Sequence, residues 1–246
     1  MAIRLPFLEW EKQDNFDIYI KLIGSQDCVR LTTDRADDVS PAFSPDGRSI
    51  GFLRISNGHA SFIVIPAIGG PECIVGQLPD VASDYLGFGW LPDSKWIVTN
   101  GLGLLSVESG ETRSLTSSAA KSRIDFSPAI SPDGRNVAFN RGTSLFTAQI
   151  YLLHLTAELK LVGEPRRLSS LRTGFGSAPV WTPDGKELIF SGGTIGATFL
   201  WRVPVSGDRE PEQLAFIGEE TDQHFLPPEV CGCYIWSRAI SSGHSI

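Results

Sequence analysis

Four aspartates stand in one recurring frame: Ser44-Pro45-Asp46-Gly47, Leu91-Pro92-Asp93-Ser94, Ser131-Pro132-Asp133-Gly134 and Thr182-Pro183-Asp184-Gly185. Carboxylates so placed invite a reading as an acid–base site. An active site is normally unique, however, and these residues recur with prolines 47, 40 and 51 positions apart. Turn formation accounts for them better. Proline pre-sets φ for the second position of a tight turn, aspartate bonds back to the backbone, and glycine accepts the positive φ that closes it. Ser94 replaces the glycine in the second copy, so that turn is expected to be strained or of another type.

Other chemistry finds little support. Nucleophilic catalysis needs a serine or cysteine on a sharp turn beside a histidine and a carboxylate, and no G-x-S-x-G occurs. His59 falls in an apparent loop. His154 alternates with Leu153 and Leu155 and so faces outward, and His224 and His244 lie in the tail. All four read as surface or structural histidines. Cys231 and Cys233 with His224 and His244 are four ligand types for zinc, but Cys-Gly-Cys is not a C-x₂-C knuckle and the spacing to the histidines is loose. No D-x-D-x-D-G loop with a closing glutamate supports calcium. The chain is therefore expected to be non-catalytic, with no cofactor and no metal assigned.

The elements around the turns repeat too. The copies read PAFSPDGRSIGFL, GFGWLPDSKWIVT, PAISPDGRNVAFN and PVWTPDGKELIFS, an alternating apolar pattern on both sides of each turn, as in a hairpin with a buried face. A third strand follows each: Phe62–Ile65, Leu104–Val107, Ile150–Leu153 and Leu200–Val203. A fourth comes next, within Pro71–Val75, Gly110–Thr116, Gly163–Ser169 and Pro211–Ala215. The N-terminal Asp17–Leu22 and Cys28–Thr33 match the last two strands without a hairpin before them. Each unit thus holds four antiparallel strands in about 46 residues. Such a sheet buries both faces only by stacking on its neighbours. The fold class is all-β, a β-propeller of four-stranded antiparallel blades with about five present and no long helix. The blade units run 14–38 (partial), 39–78, 84–117, 126–170 and 177–216, with an atypical tail over 217–246.

The 246 residues include 25 glycines and 16 prolines, in keeping with short strands and tight turns. The net charge is −7, and no basic stripe offers a grip on phosphate backbones, so nucleic acid is not an expected partner. No apolar run reaches the roughly 18 residues that would read as a membrane span. The N-terminal apolar stretch is broken by Pro6 and Glu9 and lacks a signal-peptide pattern. The chain as written is expected to stay where it is made, in the cytoplasm, or to be periplasmic as part of a membrane-anchored parent.

The SPDG and TPDG hairpins with flanking aromatics resemble the TolB-type, WD-repeat-like propeller repeat of bacteria, over roughly Asp14 to Ala215. Asn15 to Arg54 is the most similar stretch to propellers fused to serine/threonine kinases or winged-helix regulators. The resemblance implies the propeller fold and a sensor or regulatory context. It does not single out a function, because the same blades occur in periplasmic assembly proteins, sensors and oligopeptidases. No kinase signature is present.

The loops from each fourth strand into the next hairpin vary while the strands do not, as expected of a recognition rim on a rigid scaffold. They supply Asp34, Asp37, Asp38, Asp80, Asp84, Tyr85, Arg123, Asp125, Phe126, Arg172 and Phe175. The partner expected there is a protein or peptide, held by aromatic and arginine hot spots. The bland alternative is a solvated acidic rim with no ligand. Beyond Ala215 a fifth hairpin is due, yet the tail carries no Pro-Asp-Gly, which suggests that it is not native propeller sequence. If it joined the N-terminal strands in one blade, the ring would close with five; otherwise it would stay open, with exposed strand edges.

Overall fold

A computed structural model describes residues 4–10, 15–22, 24, 27–78, 87–116, 123–144, 147–171, 173, 178–194 and 197–214. Among these residues every regular element is a strand, and each sheet is antiparallel. The chain divides into two compact units. One takes in residues up to Thr99 together with Leu104–Arg113; the other takes in Asn100–Gly103 and the described residues from Ser114 onward.

The first unit opens with β1 (Arg4–Trp10), β2 (Phe16–Leu22) and β3 (Cys28–Arg30), a sheet of three strands among the described residues. β4 (Asp37–Phe43), β5 (Ser49–Ser56), β6 (His59–Pro66) and β7 (Cys73–Gln77) form a four-stranded sheet in sequence order. The next comprises β8 (Phe88–Trp90), β9 (Trp96–Thr99), β10 (Gly103–Ser106) and β11 (Thr112–Ser114), with its β9–β10 turn in the second unit. The second unit holds two more four-stranded sheets. One is β12 (Ile124–Ile130), β13 (Asn136–Gly142), β14 (Gln149–Leu155) and β15 (Leu161–Arg167); the other is β16 (Val180–Trp181), β17 (Glu187–Thr194), β18 (Ala197–Pro204) and β19 (Glu212–Gln213). Four-stranded antiparallel sheets in sequence order are the fold class that the repeat predicts. β1 is an addition: the sequence reading starts the first blade at residue 14, yet Arg4–Trp10 pairs with β2 over seven residues, Arg4 with Leu22 through Trp10 with Phe16.

The middle strands of a blade are covered on both sides, which is why they read as almost continuous apolar runs. Ile50, Phe52, Ile63 and Ile65 pack with Ile18 towards the first sheet, while Leu53 and Phe62 pack with Ile97 and Leu105 towards the third. Ala138, Ile150, Leu188, Phe190 and Val203 do the same in the second unit. A fully buried side chain of this size stabilises by about 1.5–3 kcal/mol. Packing is tight enough to exclude a methyl group: a Cβ on Gly51 would stand 2.7 Å from Phe62 and 2.9 Å from Trp90.

Hairpin turns repeat in atomic detail. Gly47 N–H donates to Ser44 O at 2.8 Å, Ser44 Oγ donates to Asp46 Oδ1 at 2.6 Å, and Arg48 N–H donates to the same carboxylate at 3.0 Å. Ser131 with Asp133 and Thr182 with Asp184 reproduce this pattern. In the second copy Ser94 has φ +58° and donates to Leu91 O at 3.0 Å, so the turn keeps its form with a serine in the glycine conformation. The four turn aspartates thus bond within their own hairpins.

Candidate functional site

The loop between β3 and β4 is built around carboxylates. Asp34 Oδ1 accepts Ala36 N–H at 2.9 Å, and Asn15 Nδ2 donates to Asp34 O at 2.9 Å, which shapes the loop. Asp37 Oδ1 accepts Phe16 N–H at 3.0 Å and so ties the start of β4 to the start of β2. Asp38 is fully buried, directly across the ladder from Arg54. Arg54 Nε and Nη2 grip its two carboxylate oxygens at 2.7 and 2.8 Å. The same guanidinium reaches Glu72 at 2.7 Å and Asp34 at 3.4 Å, and it lies over the Phe52 ring at 5.6 Å. Burial pushes the Asp38 carboxyl up from its ordinary value, an effect that hydrogen bonds from Arg54 and Thr32 only partly offset. Burial works against the Arg54 charge as well, but the bonds to Asp38 and Glu72 outweigh it and raise its pKa.

The corresponding stretch in the second unit carries the same clamp. Asp125 pairs across the ladder with Arg141, whose Nε and Nη2 each lie 2.7 Å from its carboxylate. The bond to Asp125 raises Arg141. Arg141 also covers the rings of Phe139 and Tyr151 at 5.1 and 5.2 Å. In the first sheet, buried Asp17 pairs with Arg30 and accepts the Thr32 hydroxyl at 3.0 Å.

Of the residues expected on a recognition face, Asp34 and Arg123 are exposed and Asp37 is half-buried. Asp38, Asp125 and Phe126 are turned inward: the two aspartates hold arginines, and Phe126 is only 4% exposed. Asp80, Asp84, Tyr85, Arg172 and Phe175 lie outside the described residues, as do His224, Cys231, Cys233 and His244. The sequence reading missed Arg54 and Arg141. Their signal was available, since each stands eight residues after its turn aspartate and sixteen after its clamp partner.

Elsewhere the surface offers little. His59 is exposed at the start of β6, and exposed His154 sits 3.1 Å from Asn136 Oδ1. Among the described residues no three His, Cys, Asp or Glu side chains gather as a metal site, and no helix is long and apolar enough to cross a membrane. A depression of about 370 Å³ lies on the fifth sheet, bounded by Asp184, Lys186, Glu187 and Arg209 at its turns.

The chain shares this fold with TolB. TolB from Acinetobacter baumannii superposes with a TM-score of 0.67 at 14% identity, over 86% of this chain and 52% of that one. A putative TolB from Agrobacterium tumefaciens gives 0.61 at 18% identity, over 86% and 80%. An oligogalacturonate lyase from Vibrio parahaemolyticus gives 0.58 at 15% identity, over 85% and 61%. In sequence, an uncharacterized peptidase of Bacillus subtilis, YuxL, is 27% identical over 183 residues, 74% of this chain. The chain spans about a quarter of that peptidase's length (26%) and about half of the Acinetobacter TolB. No family model matches the chain. These likenesses establish a TolB-type β-propeller fold.

Proposed function

We propose that this chain is a non-catalytic propeller scaffold that recognises a protein or peptide through the loops entering its first strands, as the propeller part of a larger sensor or regulatory protein. One observation carries the reading. The turn aspartates recur in step with the repeat and bond within their own hairpins, whereas Asp34 and Arg123 in the varying loops are exposed, Asp34 at 47%. The loop residues proposed for recognition are Asp34, Asp37 and Arg123, together with Asp84, Tyr85, Arg172 and Phe175 on the sequence reading alone. Asp38, Asp125 and Phe126 stiffen the strands below. With a net charge of −7, the surface favours a basic partner. The kinase-associated or winged-helix context suggested by the repeat belongs to the same proposal.

The test is selection of displayed peptides on the full chain, followed by affinity measurement against Asp34→Lys and Arg123→Glu. Enrichment of basic peptides is expected, with at least a tenfold loss, or about 1.4 kcal/mol, in Asp34→Lys. Affinity unchanged in both variants would overturn the rim reading. A second reading, the propeller of a peptidase-like protein, is favoured by the similarity to the Bacillus peptidase. Turnover of peptide substrates by residues 1–246 themselves would replace the scaffold with an enzyme.

A further inference from the structure

The hydrophobic cluster between the first and second sheets runs out to the surface. Val29 stands across the ladder from Ile20, and Ile74 across from Ile63, so each continues that cluster outward on the same face. Leu22 follows Ile20 by two residues on one strand, and Ile68 follows Ala67 of the cluster. The turn that carries Ile68 lies against the first sheet, since a Cβ on Gly69 would stand 3.8 Å from Leu31 Cδ2. Of the seven large apolar side chains exposed among the described residues, these are four. Hydrogen bonds mark two of the places in the other sheets. The amides of Leu31, Leu78, Leu115, Leu168 and Leu214 make equivalent bonds just after each last strand. Two residues before them stand Val29, Gly76, Arg113, Arg166 and Glu212. The amides of Ala67, Val107, Leu155 and Val205 each donate to the first turn of their own sheet, and the next residues are Ile68, Glu108, Thr156 and Ser206. Among the described sheets, an apolar side chain stands at either place only in this pair. In the second unit Arg166 Nη2 instead donates to Val205 O at 2.7 Å and closes the outer end of its cluster with a charge.

We infer that Leu22, Val29, Ile68 and Ile74 form the contact face for a second copy of this chain. Area is the first argument. The four are 42, 59, 86 and 69% exposed, which leaves about 450 Å² of mostly apolar surface in water, as large as a monomer ordinarily shows. An interface of standard size buries about 800 Å² on each partner, and a little over half of that, about 450 Å², is apolar. The patch thus matches one partner's share of an ordinary dimer, and two copies face to face bury it on both. Charge is the second argument. Around the patch stand Lys21 and Arg48 of one sign and Asp27 and Glu72 of the other. Neither a basic nor an acidic partner is selected by such a border. A second copy brings the same two signs, and a two-fold axis sets each against its opposite.

Sedimentation equilibrium of the full chain between about 1 and 200 µM tests this. The mass is expected to rise from one chain to two, with a dissociation constant of about 10 µM or lower. Val29→Asp and Ile68→Asp, both at exposed positions, are each expected to weaken the dimer at least about tenfold. Val162→Asp, at an exposed apolar position of the second unit, is expected to leave it unchanged. A single-chain mass at every concentration would leave the patch to another occupant, the chain's own tail or a different protein, and would overturn the proposal. Growth beyond two chains would do the same, because a two-fold contact closes on itself. So would a dimer that Val29→Asp and Ile68→Asp leave intact, or one that Val162→Asp weakens as much. Hydrogen exchange on the unsubstituted chain guards against misfolded variants. Amides of Cys28–Arg30 and Cys73–Gln77 are expected to exchange more slowly at 200 than at 1 µM, by about threefold or more, and equal rates at the two concentrations would also count against the contact.

Discussion

In β4–β7 and β12–β15 the first strand has seven residues, and an aspartate near its start is held by an arginine on the neighbouring strand. In β8–β11 and β16–β19 the first strand has three and two residues, and Gly101 and Gly192 stand where the arginine would be, eight residues after the turn aspartate. These shorter strands carry a different anchor. The indole N–H of Trp90 donates to Ala42 O at 3.3 Å, and that of Trp181 donates to Ala129 O at 2.9 Å; each acceptor lies on the first strand of the preceding sheet. Blades of one period thus come in two kinds, one clamped within its own sheet and one pinned to its neighbour. The clamped kind also carries a bulge: Ser40 and Ser127 have φ of +55° and +51°, and pairing shifts at both places.

Removing an arginine tests the clamp hardest. Arg54→Met leaves fully buried Asp38 without its counter-charge and is expected to cost about 3–5 kcal/mol in urea unfolding. Asp125 keeps 13% of its side chain in water, so Arg141→Met is expected to cost about half as much. The double variant Asp38→Leu/Arg54→Met should recover most of the loss, because no buried charge then stands alone. Equal small losses in both single variants would mean that the clamps are not what distinguishes the two kinds of blade. On the other side, Trp181→Phe strands the Ala129 carbonyl and is expected to cost about 1–2 kcal/mol. Trp90→Phe, which gives up a longer bond, should cost less, about 0.5–1 kcal/mol. Reversal of that order would undo the reading of the indole as a pin.

Much of this was written in the chain, and the parts that were not share a cause. Turns and middle strands announce themselves locally, through Pro-Asp-Gly and alternating apolar residues such as Ile50 and Phe52. The clamps were half visible. Asp38–Arg54 and Asp125–Arg141 share eleven of seventeen residues, but aligning only the turn cores conceals the arginine at the far end. Phe126 reads as a rim aromatic because it follows a charged loop. The bulge after it re-aims the strand, and the ring is buried. β1 escaped notice because Pro6 and Glu9 interrupt its apolar pattern, while its pairing is set by β2, which stands in register with it along its full length. Which way Phe126 faces depends on its pairing with Asn140 and on the register shift after it, which the local pattern does not encode.

The smallest effect concerns the one hairpin that breaks the turn pattern. Ser94 takes the left-handed conformation that Gly47, Gly134 and Gly185 take at φ +69°, +72° and +69°. A side chain there costs roughly 1–2 kcal/mol. Ser94 recovers part of this, since its Oγ accepts Asp46 N–H from the preceding hairpin at 3.1 Å. Ser94→Gly therefore relieves strain but gives up that bond and loosens the unfolded chain, for a net gain of only about 0.5 kcal/mol. Gly134→Ser puts a side chain on a backbone at φ +72° and should lose about 1 kcal/mol. Thermal unfolding of the two variants side by side reads the difference. If Ser94→Gly destabilises as much as Gly134→Ser does, the bond between neighbouring hairpins outweighs turn strain. The second turn would then be an adhesive contact between sheets rather than a tolerated exception.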